Sequence, residues 1–212
     1  MITTYNKKEM CFSVESSLTV WIFSLVIAFY LYQRNRNYDR WNMAMIITVS
    51  TIQLLEAGLW TSLNDPKKND ILTRLILLTL LAEPLVQTYM GYRYTRSVFL
   101  KMLTWVLVGY FIWGLFRVIS AKPGQFHSDI SRSGRLEWKD GASHGSSFIK
   151  WAPLWFAGVL IPLLFMKGYR GIPLVIVVVG TMAYSFYITG GKGGGSLWCF
   201  LAIIYAITAL FV

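Results

Sequence analysis

Two glutamates lie inside apolar runs long enough to cross a lipid bilayer: Glu56 in MAMIITVSTIQLLEAGLW and Glu83 in ILTRLILLTLLAEPLVQTYMGY. Each has a glutamine within one helical turn, Gln53 and Gln87. A charged side chain at bilayer depth costs at least about 2.5 kcal/mol, so such residues face a bundle interior, a partner or a water-filled path. Three kinds of chemistry are open to them: holding and passing a proton, coordinating a small solute, or fixing helices together through hydrogen bonds and ion pairs. Arg117, at the end of a later apolar run, is the cation expected to pair with Glu56. Trp60 shares the helical stripe of Gln53 and Glu56. Pro84 adds a further polar feature: its ring removes a backbone N–H and frees a carbonyl one turn earlier, near Leu80.

The elements that must position these groups are membrane helices. Of the 212 residues, 55% are hydrophobic and only 14% charged, with a mean hydropathy of +0.50. Seven apolar segments are predicted, over 15–33, 42–62, 71–92, 99–120, 148–167, 171–189 and 195–212, because about 20 residues at 1.5 Å rise cross the hydrocarbon core. Residues 1–212 are therefore expected to form a single all-α membrane domain, a seven-transmembrane-helix bundle, with one extended loop at 121–147. The first segment lacks a basic stretch directly before it and a small-residue cleavage site after it, so it is expected to remain a helix. Ser13 is its expected N-cap, with Glu15 in the first turn.

Orientation follows from the short loops. Those after segments 1, 3 and 5 carry Arg34, Arg36 and Arg40, then Arg93, Arg96 and Lys101, then Lys167 and Arg170. The opposite side dilutes its bases with acids. Lysine and arginine in short loops favour the cytoplasmic side, which predicts the N-terminus out and the C-terminus in. Glu56 then lies in the outer half and Glu83 near the midplane. Trp41, Trp60, Trp138, Trp151 and Trp198 fall at segment ends, as interfacial anchors do; Trp60 and Trp198 are held back from that reading as site candidates. The net charge of +10 is explained by a basic rim facing anionic headgroups, and no motif points to nucleic acid as a partner.

Smaller features carry less. The loop 121–147 has turn residues at Ser133-Gly134 and Asp140-Gly141, able to close a small hairpin around RLEW. Its His127 and His144 read as solvated histidines, and no metal site is predicted. GGKGGGS at 190–196 lacks the GxxxxGK[ST] pattern of a phosphate loop and reads as a flexible connection. Seven helices suggest a retinal protein, but residues 195–212 contain no lysine for a Schiff base. Cys11 and Cys199 both fall at the outer ends of odd-numbered segments, where a disulfide, a shared ligand or two separate small apolar residues are all compatible with the spacing.

MCFS at 10–13, QLLEAGLW at 53–60 and SLWCF at 196–200 together resemble the signature of an uncharacterised seven-helix membrane family of bacteria and giant viruses. Its members typically begin MCFSA, with Q-x-x-E-x-x-x-W in the second helix and a Trp-Cys pair opening the last. This chain departs by carrying nine residues before MCFS and by reading GRLEW where relatives resemble G-H-L-x-W. The resemblance implies architecture and a host or viral membrane, but no activity. It places the shared motifs at the outer face.

Three functions fit the residues. The first is a small channel or carrier for protons or a small solute, with Glu56 and Glu83 as relay groups and Gln53 and Gln87 as their partners. The second is a membrane enzyme, or a redox or ligand-binding protein, with an outer-face site around Cys11, Cys199, Trp198 and Glu56. The third is a structural component of a virion membrane or larger complex. Expected partners are the lipid bilayer, a small solute or proton, and a second copy of the chain as a homo-oligomer. No catalytic set and no cofactor is specified.

Overall fold

The computed structural model describes residues 13–139 and 146–212, with the side chains of 146–151 excepted. Seven α-helices make up most of it: α1 (Val14–Arg34), α2 (Asp39–Ser62), α3 (Pro66–Thr95), α4 (Val98–Ser120), α5 (Ser146–Leu164), α6 (Gly171–Thr189) and α7 (Gly194–Ala209). Local chemistry sets several of the boundaries. Ser13 caps α1 by accepting from the Ser16 backbone N–H, and Ser16 reciprocates toward the Ser13 backbone N–H. Asp65 accepts from the Lys67 and Lys68 backbone N–H groups ahead of Pro66. Those bonds, the one from Lys68 foremost, hold its carboxyl below the usual range. At the other ends, Asn35, Arg96 and Gly190 close α1, α3 and α6 in the left-handed region. The fifth and seventh expected segments are trimmed at their C-terminal ends, α5 stopping at Leu164 and α7 at Ala209. Between α5 and α6 the chain turns through Lys167–Tyr169, with Gly168 at φ 67°.

Five helices, α1 to α4 and α6, are long and apolar enough to cross a membrane, while α7 and the 152–164 part of α5 are shorter apolar helices. The outside of the bundle carries large apolar side chains, including Val26, Phe29, Trp105, Phe116, Ile119 and Ile176. α1, α2, α3, α5, α6 and α7 pack in a closed succession, with α7 also lying against α2. α4 stands outside, mainly against α3.

Between α4 and α5 the chain forms a hairpin, β1 (His127–Ile130) and β2 (Leu136–Lys139), antiparallel with His127 opposite Lys139. Ser133-Gly134 lies in its turn, as the sequence suggested, with Gly134 at φ 73°. The second expected turn, Asp140-Gly141, lies outside the described residues. This segment is less a solvated loop than a lid. Asn69 of α3 donates to the Ser128 carbonyl (2.9 Å) and accepts from the Ser128 N–H (2.7 Å). Asp70 accepts from the Gly124 and Phe126 N–H groups, each at 3.1 Å. Arg74 pairs with Asp70 at 2.8 Å, covers the Phe126 ring and donates to the Val118, Ala121 and Lys122 carbonyls. Leu136 reaches the core and is fully buried.

The glycine-rich connection is built into the fold rather than loose. Gly193, at φ 78°, lies against Arg135 and Ser131 of the hairpin, and a Cβ on Gly195 would come within 2.9 Å of the Trp138 ring. Glycine is required there because the Trp138 ring packs directly on the start of α7.

Candidate functional site

Polar side chains buried between α2, α3 and α7 form a column along the bundle. At the hairpin end, Glu56 is 2% exposed and accepts from Gln53 Nε2 at 2.8 Å. Ser196 of α7 and Trp138 of the hairpin lie beside its carboxyl. Among the described residues its second oxygen and the Trp138 indole N–H make no closed hydrogen bond, although the two groups are neighbours placed to share one. Polar atoms buried in this way call for a water, an ion or a ligand.

Midway along, Glu83 of α3 has no exposed surface, and neither carboxyl oxygen has a hydrogen-bond partner among the described residues. The Cys199 thiol, also buried, lies within electrostatic reach of both Glu83 and Glu56. Beyond it, Gln87 accepts from the Trp41 indole N–H at 3.0 Å, and Tyr205 donates to Asn42 at 3.1 Å. The Gln87 and Asn42 side-chain amide nitrogens remain without partners among the described residues.

Two cavities flank this column. A small one of about 30 Å³ is lined by Ser24, Ser50, Gln87, Thr181, Cys199 and Tyr205 among others. A larger one of about 330 Å³ lies under the hairpin, walled by Trp138, Trp155, Phe156, Phe186 and Gly193–Ser196. Among the described residues Trp198 alone lines both, and its indole meets Trp155 edge-on at 5.3 Å. It is the partition between them.

The Leu80 carbonyl released by Pro84 has found a donor: Trp155 Nε1 of α5 bonds it at 2.7 Å. The neighbouring helix thus supplies the hydrogen bond that proline removed. Trp155→Phe should cost about 1–3 kcal/mol, the penalty for a buried carbonyl left unpaired. In a Pro84→Ala background, where residue 84 regains its N–H, the same change should cost measurably less. Thermal melts of the four proteins in detergent read that difference, and equal costs in both backgrounds would rule out the exchange.

Among the sequence-predicted residues, the structure gathers Gln53, Glu56, Glu83, Gln87, Trp198 and Cys199 near the column. Trp60 is half-buried at its edge, against the core. Arg117 does not join them. It is exposed, and its guanidinium covers the Trp113 ring of its own helix at 5.5 Å. The expectation that it would pair with Glu56 fails because α4 packs mainly on the outside of α3, leaving Glu56 to Gln53 and its neighbours on α7 and the hairpin. Cys199 is a buried free thiol; Cys11, and with it any pairing of the two, lies outside the described residues, as do His144 and the Trp151 side chain.

Trp41, read from sequence as an interfacial anchor, is instead fully buried and bonded to Gln87. Trp138 likewise packs against α7 rather than standing at an interface. Asn42, Tyr205 and Trp155 were not singled out by sequence, and Ser196 entered only as the first residue of the SLWCF motif. Only Trp155 had a signal, the orphaned carbonyl that it satisfies. His127 is exposed beside Asp129, and no cluster of three metal-ligating residues occurs among the described residues.

The QLLEAGLW and SLWCF motifs face each other across the α2–α7 contact, where Glu56 meets Ser196. No protein-family model matches this sequence, and no curated protein and no solved structure matches it.

Proposed function

We propose that the chain spans a membrane seven times, with the hairpin end and N-terminus outside and the C-terminus inside, and works as a small channel or carrier for protons or a small solute. Glu83 carries the reading: a fully buried carboxyl with both oxygens unbonded among the described residues, set between a polar cluster at Glu56 and another at Gln87. Buried carboxyls of this kind mark proton and solute pathways in membrane bundles. Helix glue would use those oxygens in hydrogen bonds, which is how Trp41–Gln87 and Trp155–Leu80 are made.

In this mechanism a proton or solute enters from the cavity under the hairpin and meets Glu56. It crosses the Trp198 partition to Glu83 and leaves along Gln87 and Tyr205. The polar rim near the opposite end, where Arg34 grips Asp39 (2.6 Å) and the Leu210 carbonyl (2.5 Å), holds α1, α2 and α7 together there. The facing of the two motifs also supports kinship with the uncharacterised seven-helix family. The enzyme or redox reading has less support, since Cys199 is enclosed.

Reconstituted into liposomes with an internal pH dye, the protein should give a pH-dependent flux that falls at least about tenfold, ~1.4 kcal/mol of barrier, in Glu83→Gln. Glutamine keeps the shape and removes the proton site. Flux in that variant equal to the parent's sinks the proposal.

A further inference from the structure

We propose that the 330 Å³ cavity under the hairpin is a binding site for a small organic cation of the alkylammonium class, enclosed by Trp138, Trp155 and Trp198 and charge-balanced by Glu56. Such a site deepens the transport reading, and its role after binding rests on that reading, because the cavity would be the loading site of the path.

The cavity's volume falls at the lower end of the range for small-molecule sites, which suits a compact ligand. Its lining is mostly apolar and aromatic, with three indoles. Trp155 and Trp198 stand edge to face, 75° apart, so they present differently oriented surfaces to one guest. The negative face of an indole attracts an ammonium group, most strongly where water is excluded.

Charge sets the ligand's sign. The chain has 20 Lys and Arg against 10 acids, and among the described residues none of these bases lines the cavity, although Arg135 and Lys192 flank the lining residues Leu136, Gly191 and Gly193. Glu137 is in its wall, and Glu56 lies directly behind Ser196 and Trp138, which also line it. Glu56 is more than nine-tenths buried and has an oxygen without a hydrogen-bond partner among the described residues. A neutral hydroxyl ligand could hydrogen-bond that oxygen and the Trp138 N–H, but it would gain nothing from the carboxyl's charge or from the negative faces of the rings. A cation would be drawn toward the carboxyl, and one with a hydroxyl could also accept from the Trp138 N–H. An anion would meet carboxyls and the negative faces of the rings.

The test is a binding measurement that needs no flux. Purified full-length protein in nanodiscs is titrated by calorimetry with choline and with its neutral carbon isostere, 3,3-dimethylbutan-1-ol. Choline should bind at least about tenfold more tightly, and Glu56→Gln should remove at least about tenfold of its affinity while leaving the isostere unchanged. Equal affinity for choline and the isostere, or choline binding that survives Glu56→Gln intact, overturns the proposal. Should Glu56→Gln fail to fold, the comparison of the two ligands on the parent protein decides alone. Choline binding with neither proton flux nor choline uptake into liposomes would refute the transport reading and leave the site standing; flux without choline binding would do the reverse.

Discussion

Gly158→Leu is expected to cost about 4 kcal/mol, enough to leave little folded protein in detergent. A Cβ at this position would lie 2.5 Å from Pro84 Cβ, 2.8 Å from Leu107 Cδ1 and 3.3 Å from the Pro84 Cα. Three helices, α3, α4 and α5, meet there with no room for a side chain. The Gly158 carbonyl also accepts from Thr88 Oγ1 at 3.0 Å. Leucine must push α5 away from α3. Overpacking costs about 1–3 kcal/mol, and the Thr88–Gly158 and Trp155–Leu80 hydrogen bonds, each worth about 1 kcal/mol, would stretch with it. Gly158→Ala should cost about half as much. Gly180 on α6 provides the control, since nothing lies within 4 Å of a Cβ there, and Gly180→Ala should be close to neutral. Melting curves followed by circular dichroism rank the four proteins; a leucine variant that melts with the parent would mean that α5 can move freely on α3.

The second large effect is expected at Arg74. Its guanidinium pairs with Asp70, with side-chain exposures of 15% and 12%, and donates to the Val118, Ala121 and Lys122 carbonyls. These carbonyls close α4 and begin the lid, and the lid's Gly124 and Phe126 N–H groups depend on Asp70 in turn. Arg74→Ala strips the donors from one side and leaves the carboxylate without its cation on the other. Breaking such a pair costs about 3–5 kcal/mol when fully buried; with partial water access we expect about 2–3 kcal/mol. Arg74→Lys keeps the charge but lacks the planar fork, so it should recover less than half of the loss. Limited proteolysis within 121–139 should accelerate in the same order. A loss under about 0.5 kcal/mol, as at an ordinary surface site, would show that the lid is held by other contacts.

The all-α architecture and the positions of the seven helices were legible in the sequence because a run of apolar residues is itself the signal. So were the Ser13 cap and the Ser133-Gly134 turn, which depend on residues next to each other in the chain. The fate of the Leu80 carbonyl was half legible: Pro84 announces the missing bond, but nothing local names Trp155, 75 positions away, as its donor. Arg117 shows the limit. Depth along a helix follows from residue count, so placing it level with Glu56 was sound arithmetic. Which helix stands beside which is decided by packing between distant segments, and α4 lies outside the ring. Trp41 was misread for a related reason. Aromatic residues at a segment end look alike whether they face headgroups or a buried glutamine. The candidate site was legible as a set of polar residues and not as an enclosure, since a hairpin foreseen from its turn residues carries no local sign of what it roofs.

The lid is clamped to α3 by side-chain hydrogen bonds, but α6 is attached differently. Its Thr181, Ser185 and Thr189 hydroxyls all donate to carbonyls of α6 itself, and it joins α7 through Gly190, Gly191 and Gly193, all at positive φ. The two sides of the cavity therefore differ as a door frame differs from a door. The frame is α3 with its hairpin; the leaf is α6, which lines the cavity with Met182 and Phe186 and is joined to α7 through glycines. Amide hydrogen exchange should be faster along α6 than in the clamped hairpin, so a guest would enter from the α6 side without disturbing the roof.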